Sequence, residues 1–171
     1  MGTGLLIARK PLKYTVLEGG TGSNSIDAVQ PEDMPERQES GTVNLPGIFG
    51  VSAGLDFVSA YGTDNLYLHE LQLIDNLYKR FEKMDKVILY TPRPELYRTA
   101  PVLPFNIKNK SCDDVASYLA SHNVAVRAGL HCAPTVHKIM GTLPHGCVRI
   151  STGYFNNRAE IDSLVELIKK I

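Results

Sequence analysis

The residues best suited to chemistry in this sequence lie in one stretch, Arg127-Ala-Gly-Leu-His131-Cys132-Ala-Pro. The cysteine directly follows a histidine and comes five residues after an arginine. Thiolate is the reactive form of cysteine, and a nearby cation or imidazole raises its population at neutral pH. The pattern makes Cys132 a candidate nucleophile. On these residues alone the alternative stays open that it is a small buried hydrophobic residue, as most isolated cysteines in reduced proteins are.

A second candidate is Arg149, which has apolar neighbours inside the predicted strand Cys147-Val-Arg149-Ile-Ser151. An arginine buried without a partner is costly, so an anion should meet it. The simplest alternatives are an internal carboxylate, or a side chain that faces outward because strand residues alternate between faces. A guanidinium also suits bidentate binding of a substrate carboxylate.

Histidines and cysteines cluster near the same segment and raise the possibility of a metal site. His131, Cys132, His137, His145 and Cys147 fall within a short stretch, and imidazole and thiolate are zinc ligands. Their spacings contain no Cys-x-x-Cys or His-x-x-x-His pair, which are the patterns that make such assignments specific. We therefore assign no metal ligand from the sequence.

Composition excludes several classes of protein. Eighteen basic and eighteen acidic residues give a formal charge of zero, so nothing indicates attraction to nucleic acid or to an acidic membrane surface. No apolar run approaches the roughly 20 residues of a spanning helix. An odd number of cysteines and the lack of a leader-like segment favour a reducing compartment, so we expect a cytoplasmic protein.

Hydrophobic periodicity predicts an α+β fold. Apolar residues recur at helical spacing in two stripes between about residues 45 and 84, with Thr63 or Asp64 suited to cap the second helix. Further elements are predicted as strands at 87–91, 101–107, 124–126 and 147–151, and as helices at 112–122 and 158–170, the former capped by Ser111. Strands with helices packed on one face are typical of α+β domains.

The first part of the chain has a different character. Leu5–Ala8 reads as one short strand, and the stretch that follows is rich in Gly, Pro, Ser and acidic residues, with little core of its own. We predict three regions: 1–45 with little core of its own, 46–85 with the two helices, and 86–171 as a compact α+β domain. The first region should be mobile, or ordered by packing on another copy of the chain.

Taken together, these segments resemble cysteine desulfurases and selenocysteine lyases, which are class V, fold-type I pyridoxal phosphate (PLP) enzymes. The matching segments, in family order, are Gly19-Gly-Thr21-Gly-Ser23, Pro35-Glu-Arg37 through Pro46-Gly47, the Cys132 stretch, His137-Lys138-Ile-Met-Gly-Thr, and Gly146-Cys-Val-Arg149 through Asn156. Leu130 departs from the pattern, because many relatives in the sulfur-mobilising group carry a second histidine there. The resemblance implies the C-terminal small domain of a fold-type I PLP-dependent transferase at 86–171. It also implies that 1–45 is a remnant of the large PLP-binding domain with a dimer-face loop, and that 46–85 are helices that link the two domains.

The same resemblance implies roles for individual residues. Cys132 would accept sulfur or selenium from cysteine or selenocysteine as a persulfide, leaving alanine, and His131 would relay a proton or tune the thiol. Arg149 would grip the substrate carboxylate, with Arg127 as a weaker candidate for the same surface. Residues Thr21, Gly22 and Ser23 would contribute to the phosphate cradle of the partner subunit's PLP in a homodimer, and a separate protein would receive the sulfur.

One expected residue is not found in the matching segments, namely the lysine that holds PLP as a Schiff base. Met1-Gly-Thr-Gly-Leu-Leu-Ile-Ala resembles the strand that follows this lysine in the family. Lys138 follows the cysteine loop, and we interpret it as a solvated helix residue. The chain is therefore predicted to be an enzyme fragment, inactive alone, with a non-catalytic assembly or interaction domain, or less favourably a His/Cys metal-binding domain, as alternatives.

Overall fold

The computed structural model describes residues 2–171, apart from the side chain of Ser23. The described chain forms two compact units, which divide after Ala60. No helix within these residues is long and apolar enough to cross a membrane. The three-region division predicted from the sequence remains a proposal.

The N-terminal unit is mostly irregular chain. It contains two short 3₁₀ turns, Gly22–Asn24 and Glu36–Gln38, and most of helix α1, Leu45–Tyr61. Polar side chains tie the irregular segments together: Arg37 Nη1 donates to the Leu12 carbonyl at 2.9 Å, and Gln38 Nε2 donates to the Tyr14 carbonyl at 2.7 Å. These bonds show that part of the region expected to be mobile is tethered within its own chain.

The strand predicted at Leu5–Ala8 is not formed. These residues have no regular secondary structure, and Leu6 and Ile7 are 74% and 89% exposed. A strand requires a neighbouring strand to pair its amides and carbonyls, and the described part of this unit contains no strand. The apolar run therefore remains extended and uncovered.

The C-terminal unit is an α+β fold, as the sequence predicts. Its elements are α2 (Thr63–Phe81), β1 (Val87–Leu89), β2 (Val102–Ile107), α3 (Cys112–Ser121), β3 (Arg127–Gly129), α4 (Pro134–Met140), β4 (Cys147–Ser151) and α5 (Arg158–Lys170). The strands form one antiparallel sheet in the order β1-β2-β4-β3. One sheet face forms the core together with α2, α3 and α5.

The two faces of the sheet carry different side chains. On the core face, Leu103 pairs with Ile150 and Phe105 with Val148, and all four are buried. The core also includes Ile74, Leu77, Phe81, Val115, Leu119, Ile161, Leu164, Val165 and Ile168. Side chains alternate along a strand, so Arg149 and Cys147 of β4 point to the opposite face. Burial of the first face thus fixes which residues the second face presents.

Local chemistry explains where the elements differ from their predicted bounds. β3 spans Arg127–Gly129 rather than 124–126, because α3 ends at Ser121 and the turn after it includes Asn123, whose φ is 60°. The chain pairs with β4 only from Arg127 onward. α2 begins after Gly62, without the predicted side-chain cap from Thr63 or Asp64. The Ser111 cap of α3 is confirmed by its bond from the Asp114 amide.

The turn from β4 into α5 is held by two adjacent asparagines. Asn156 Oδ1 accepts from the Gly153 amide at 2.8 Å, while Asn157 and Glu160 form a reciprocal capping box at the start of α5. Asn156 therefore shapes the turn, and Asn157 caps the helix. His69 of α2 contacts the Asn156 carbonyl at 2.9 Å, so this helix belongs to the C-terminal unit.

We expect amide hydrogen exchange to separate the two regions. Residues 5–9 should exchange much faster than residues 147–151, because only the latter lie in a hydrogen-bonded ladder. Exchange followed by mass spectrometry on dilute protein, shown to be monomeric by light scattering, measures this. Equal protection of both segments in the monomer would contradict the structure.

Candidate functional site

Cys132 lies on a short, strained loop between β3 and α4. Its φ is 58°, and that of His131 is 50°, so two consecutive non-glycine residues adopt the left-handed conformation. Each costs on the order of 1–3 kcal/mol, and such conformations are concentrated at functional sites. The loop closes through the Ala133 amide, which donates to the Leu130 carbonyl at 2.8 Å. The result is an exposed thiol at the loop tip.

Gly146 allows this loop to lie against the start of β4. Its φ is 83°, and a Cβ added there would collide with the backbone of Gly129 at the end of β3. Asn106 of β2 fixes the same point, because its Nδ2 donates to the Gly146 carbonyl at 3.1 Å and its Oδ1 accepts from the Val148 amide at 3.3 Å. The position of the cysteine loop therefore depends on a backbone-to-backbone approach.

Two arginines face each other beside the loop. Arg127 and Arg149 are direct cross-strand partners, so their side chains share the sheet face opposite the core. Arg127 Nη2 donates to Cys132 Sγ at 3.8 Å, while Arg149 Nε is buried without a hydrogen-bond partner among the described residues. Like charges directly opposite destabilise a strand pair, so this arrangement favours an anion bound between them. The alternative of an internal carboxylate partner is not realised, because Arg149 forms no ion pair among the described residues.

His131 is directed toward β4. Its Nε2 lies 3.0 Å from the Cys147 carbonyl, which can only accept, so this nitrogen carries the proton. Burial lowers the pKa of His131, and the positive charge of nearby Arg149 lowers it further. The imidazole is therefore neutral at pH 7, and its Nδ1 is buried without a partner among the described residues. Among the described residues, no hydrogen bond joins His131 to Cys132, so the role of His131 as a proton relay remains a prediction.

The other two cysteines are packed inside the fold. Cys112 and Cys147 are 3% and 1% exposed, and all three cysteines are free thiols. Cys112 Sγ donates to the His145 carbonyl at 3.1 Å. Burial raises the pKa of the Cys147 thiol. Neither thiol is therefore presented to solvent.

Of the five histidines and cysteines considered for a metal site, the structure brings together three. His131, His137 and Cys147 place their ligand atoms within 4.8 Å of one another. Cys132 and His145 lie outside this group. The sequence did not identify the trio, because two of its members are separated by a helix and the turn into β4.

The predicted phosphate-cradle residues lie in the N-terminal unit. Thr21 precedes the 3₁₀ turn, its Oγ1 donates to the Asn24 carbonyl at 2.8 Å, and Gly22 has a φ of 58°. The side chain of Ser23 lies outside the described residues. Lys138 is exposed on α4, in agreement with its interpretation as a solvated helix residue.

Fold and site together define an α+β unit of a PLP-enzyme type that presents an exposed thiol beside an arginine pair. The chain belongs to the aminotransferase class-V family, whose family model matches residues 1–164. This confirms the class predicted from the sequence motifs.

Individual proteins to which the chain is similar are named cysteine desulfurases. The chain is 31% identical to a probable cysteine desulfurase of Methanothermobacter thermautotrophicus, over all of this chain and 44% of that protein. It is 31% identical to a cysteine desulfurase of Escherichia coli, over 99% of this chain and 42% of that protein. The apo structure of a cysteine desulfurase from Thermococcus onnurineus superposes with a TM-score of 0.73 and 32% identity, over 80% of this chain and 33% of that one. The chain thus spans less than half the length of these relatives.

We expect Cys132 to be alkylated before the other cysteines. It is exposed, whereas Cys112 and Cys147 require opening of the fold before a reagent can reach them. Brief iodoacetamide treatment of the native chain, followed by peptide mass spectrometry, ranks the three thiols. Labelling of Cys112 or Cys147 as fast as Cys132 would show that the loop does not present its thiol as described. Denatured protein, in which all three react, is the control.

Gly146→Ala should destabilise the C-terminal unit by roughly 1–3 kcal/mol. The new methyl group would collide with the Gly129 backbone, and alanine is strained at the positive φ that Gly146 adopts. Urea unfolding measures the change.

Gly141→Ala is the matched control for this substitution. Gly141 also has a positive φ, 68°, but a Cβ there meets nothing within 4 Å. The Gly141 variant should lose only about 1 kcal/mol, the usual penalty for the conformation. Equal destabilisation of both variants would argue against the close approach as the governing constraint.

Proposed function

We propose that this chain provides the C-terminal part of a PLP-dependent cysteine desulfurase or selenocysteine lyase, in which Cys132 receives the sulfur or selenium. The observation that carries this proposal is the exposed thiol of Cys132, held on a left-handed loop within 3.8 Å of Arg127 and beside the arginine pair. Membership of the family and the likeness to proteins named cysteine desulfurase support it.

The arginine pair supplies the binding site for the amino-acid substrate. The Arg149 guanidinium has an unpartnered buried Nε, and its planar fork suits a carboxylate. Arg127 of β3 lies directly opposite Arg149 of β4, and a carboxylate bound between them would relieve the repulsion between the two cations. Substrate bound here is held on the same sheet face as the cysteine loop.

Sulfur transfer then follows from the position of Cys132. Its thiolate attacks the substrate sulfur, a new sulfur–sulfur bond forms, and the carbon–sulfur bond of the substrate breaks with its electron pair remaining on carbon. Protonation of that carbon gives alanine, and the enzyme retains a persulfide on Cys132. When bound, PLP supplies the electron sink that stabilises charge on the substrate carbons. Arg127 donates to the Cys132 sulfur and complements its negative charge.

The residues of the chain fit the phosphate end of the cofactor. The turn after Thr21 offers a hydroxyl and, through Gly22, an approachable backbone, and both suit a phosphate. We propose that Thr21, Gly22 and Ser23 serve the PLP of a partner subunit in a homodimer. The family's PLP-binding lysine is not found in the matching segments, and Lys138 is solvent-exposed, so we assign no lysine of this chain to the cofactor. A sulfur-acceptor protein would take the persulfide sulfur from Cys132 at the exposed loop tip.

A second candidate is a non-catalytic assembly or interaction role. Helix α1 favours it, because no residue of this helix is buried although its sequence is strongly apolar, with Leu45, Ile48, Phe49 and Leu55 all exposed. The two functions are distinguished by chemistry at Cys132, which only the first requires.

The chain by itself should not turn over cysteine. With no lysine assigned to the cofactor, incubation with PLP should give no absorbance of a lysine-linked cofactor, and cysteine with reductant should give no sulfide above background. Sulfide release at enzyme-like rates by the isolated chain would contradict this.

Joining the chain to the N-terminal portion of the Methanothermobacter relative tests the function itself. The chimera should release sulfide from cysteine, and Cys132→Ala should abolish release while Cys112→Ser, a buried control, retains it. Arg149→Lys should raise KM more than it lowers kcat, since it loses the bidentate fork but not the charge. A folded chimera whose activity survives Cys132→Ala would overturn the assignment of the nucleophile.

A further inference from the structure

Three side chains from separate elements meet beside the cysteine loop. His131 comes from the loop itself, His137 from α4 and Cys147 from the start of β4, and their ligand atoms lie within 4.8 Å of one another. His137 is 2% exposed and Cys147 is 1% exposed, so the group is shielded from water. We propose that these residues form a binding site for a divalent metal ion of zinc type.

The hydrogen bonds leave one nitrogen lone pair available on each imidazole. His137 Nδ1 lies 2.7 Å from Thr142 Oγ1, which is also 3.4 Å from the His137 carbonyl. In the tautomer in which His137 Nδ1 donates to Thr142, its Nε2 carries the lone pair. The Nε2–H of His131 bonds to the Cys147 carbonyl, which leaves the lone pair on the buried and unpartnered Nδ1. The same His131 Nε2 also lies 3.7 Å from Cys147 Sγ, so the ring and the thiol are in contact.

These bonds have the form of outer-shell support at metal sites. Histidine ligands usually donate their second ring N–H to an oxygen, which orients the ring and raises its basicity. Thr142 serves this role for His137, and the Cys147 carbonyl serves it for His131. Two imidazoles and one thiolate suit Zn²⁺ or Co²⁺, with a fourth position left for another ligand.

The charge around the cluster determines which ligand matters most. Arg149 and Arg127 both act electrostatically on His131 and oppose a cation there. The Cys147 thiolate is the one anionic ligand of the trio and offsets this repulsion. Loss of the Cys147 thiolate should therefore weaken metal binding more than loss of His137.

Cobalt titration of the full chain tests the proposal. The chain in a Cys132→Ala background, which removes the exposed thiol, should bind one equivalent of Co²⁺ with a thiolate-to-cobalt charge-transfer band and visible tetrahedral bands. Zn²⁺ should displace it. Cys147→Ser should abolish the charge-transfer band, and His137→Gln should weaken binding, with far-ultraviolet circular dichroism confirming that both variants fold.

Thr142→Val keeps the test valid if a ligand variant fails to fold. This nearly isosteric change removes only the outer-shell partner of His137, and it should lower metal affinity about 10–100-fold. His122→Gln is the control, because His122 is an exposed histidine outside the cluster. Absence of the cobalt band in the parent chain, or a band that persists in folded Cys147→Ser, or equal affinities of the Thr142 and His122 variants, would overturn the proposal.

Discussion

The backbone contact between Gly146 and Gly129 is the constraint on which the site depends. It sets the end of β3 against the start of β4 at a separation that admits no side chain. From that contact follow the pairing of Arg127 with Arg149 and the return of the chain toward β4 at His131. The geometry of the cysteine loop thus depends on how closely the neighbouring strands β3 and β4 approach each other.

The sheet separates stability from function by its two faces. The core face packs against the buried aliphatic and aromatic residues of the helices. Phe105 of β2, for example, contacts Phe81 of α2, with their ring centroids 5.0 Å apart. The opposite face carries two guanidinium groups that have no carboxylate partner in the described chain, together with a buried histidine and thiol. Unpaired charge lowers stability, so its presence on one face only is physically consistent with a site for an anionic ligand.

The N-terminal unit has a different basis for order. Side-chain bonds from Arg37 and Gln38 hold its irregular chain, while α1 and the segment around Ile7 leave apolar surface uncovered. Hydrogen bonds among exposed polar groups contribute little net free energy, so this unit has much less to stabilise it than the C-terminal core. The two curated relatives compared above are more than twice as long as this chain.

The sequence alone determined the α+β class, most helices, β2 and β4, the Ser111 cap, and the family, because periodicity, capping chemistry and ordered motifs are local properties of the chain. The prediction of a strand at Leu5–Ala8 was wrong, because strand propensity cannot supply a neighbouring strand to pair with. The prediction also placed β3 three residues too early. Only the tertiary structure decided that Arg127 faces Arg149 and that His131, His137 and Cys147 meet. Those contacts depend on strand register and on a close backbone approach, which residue spacing does not encode.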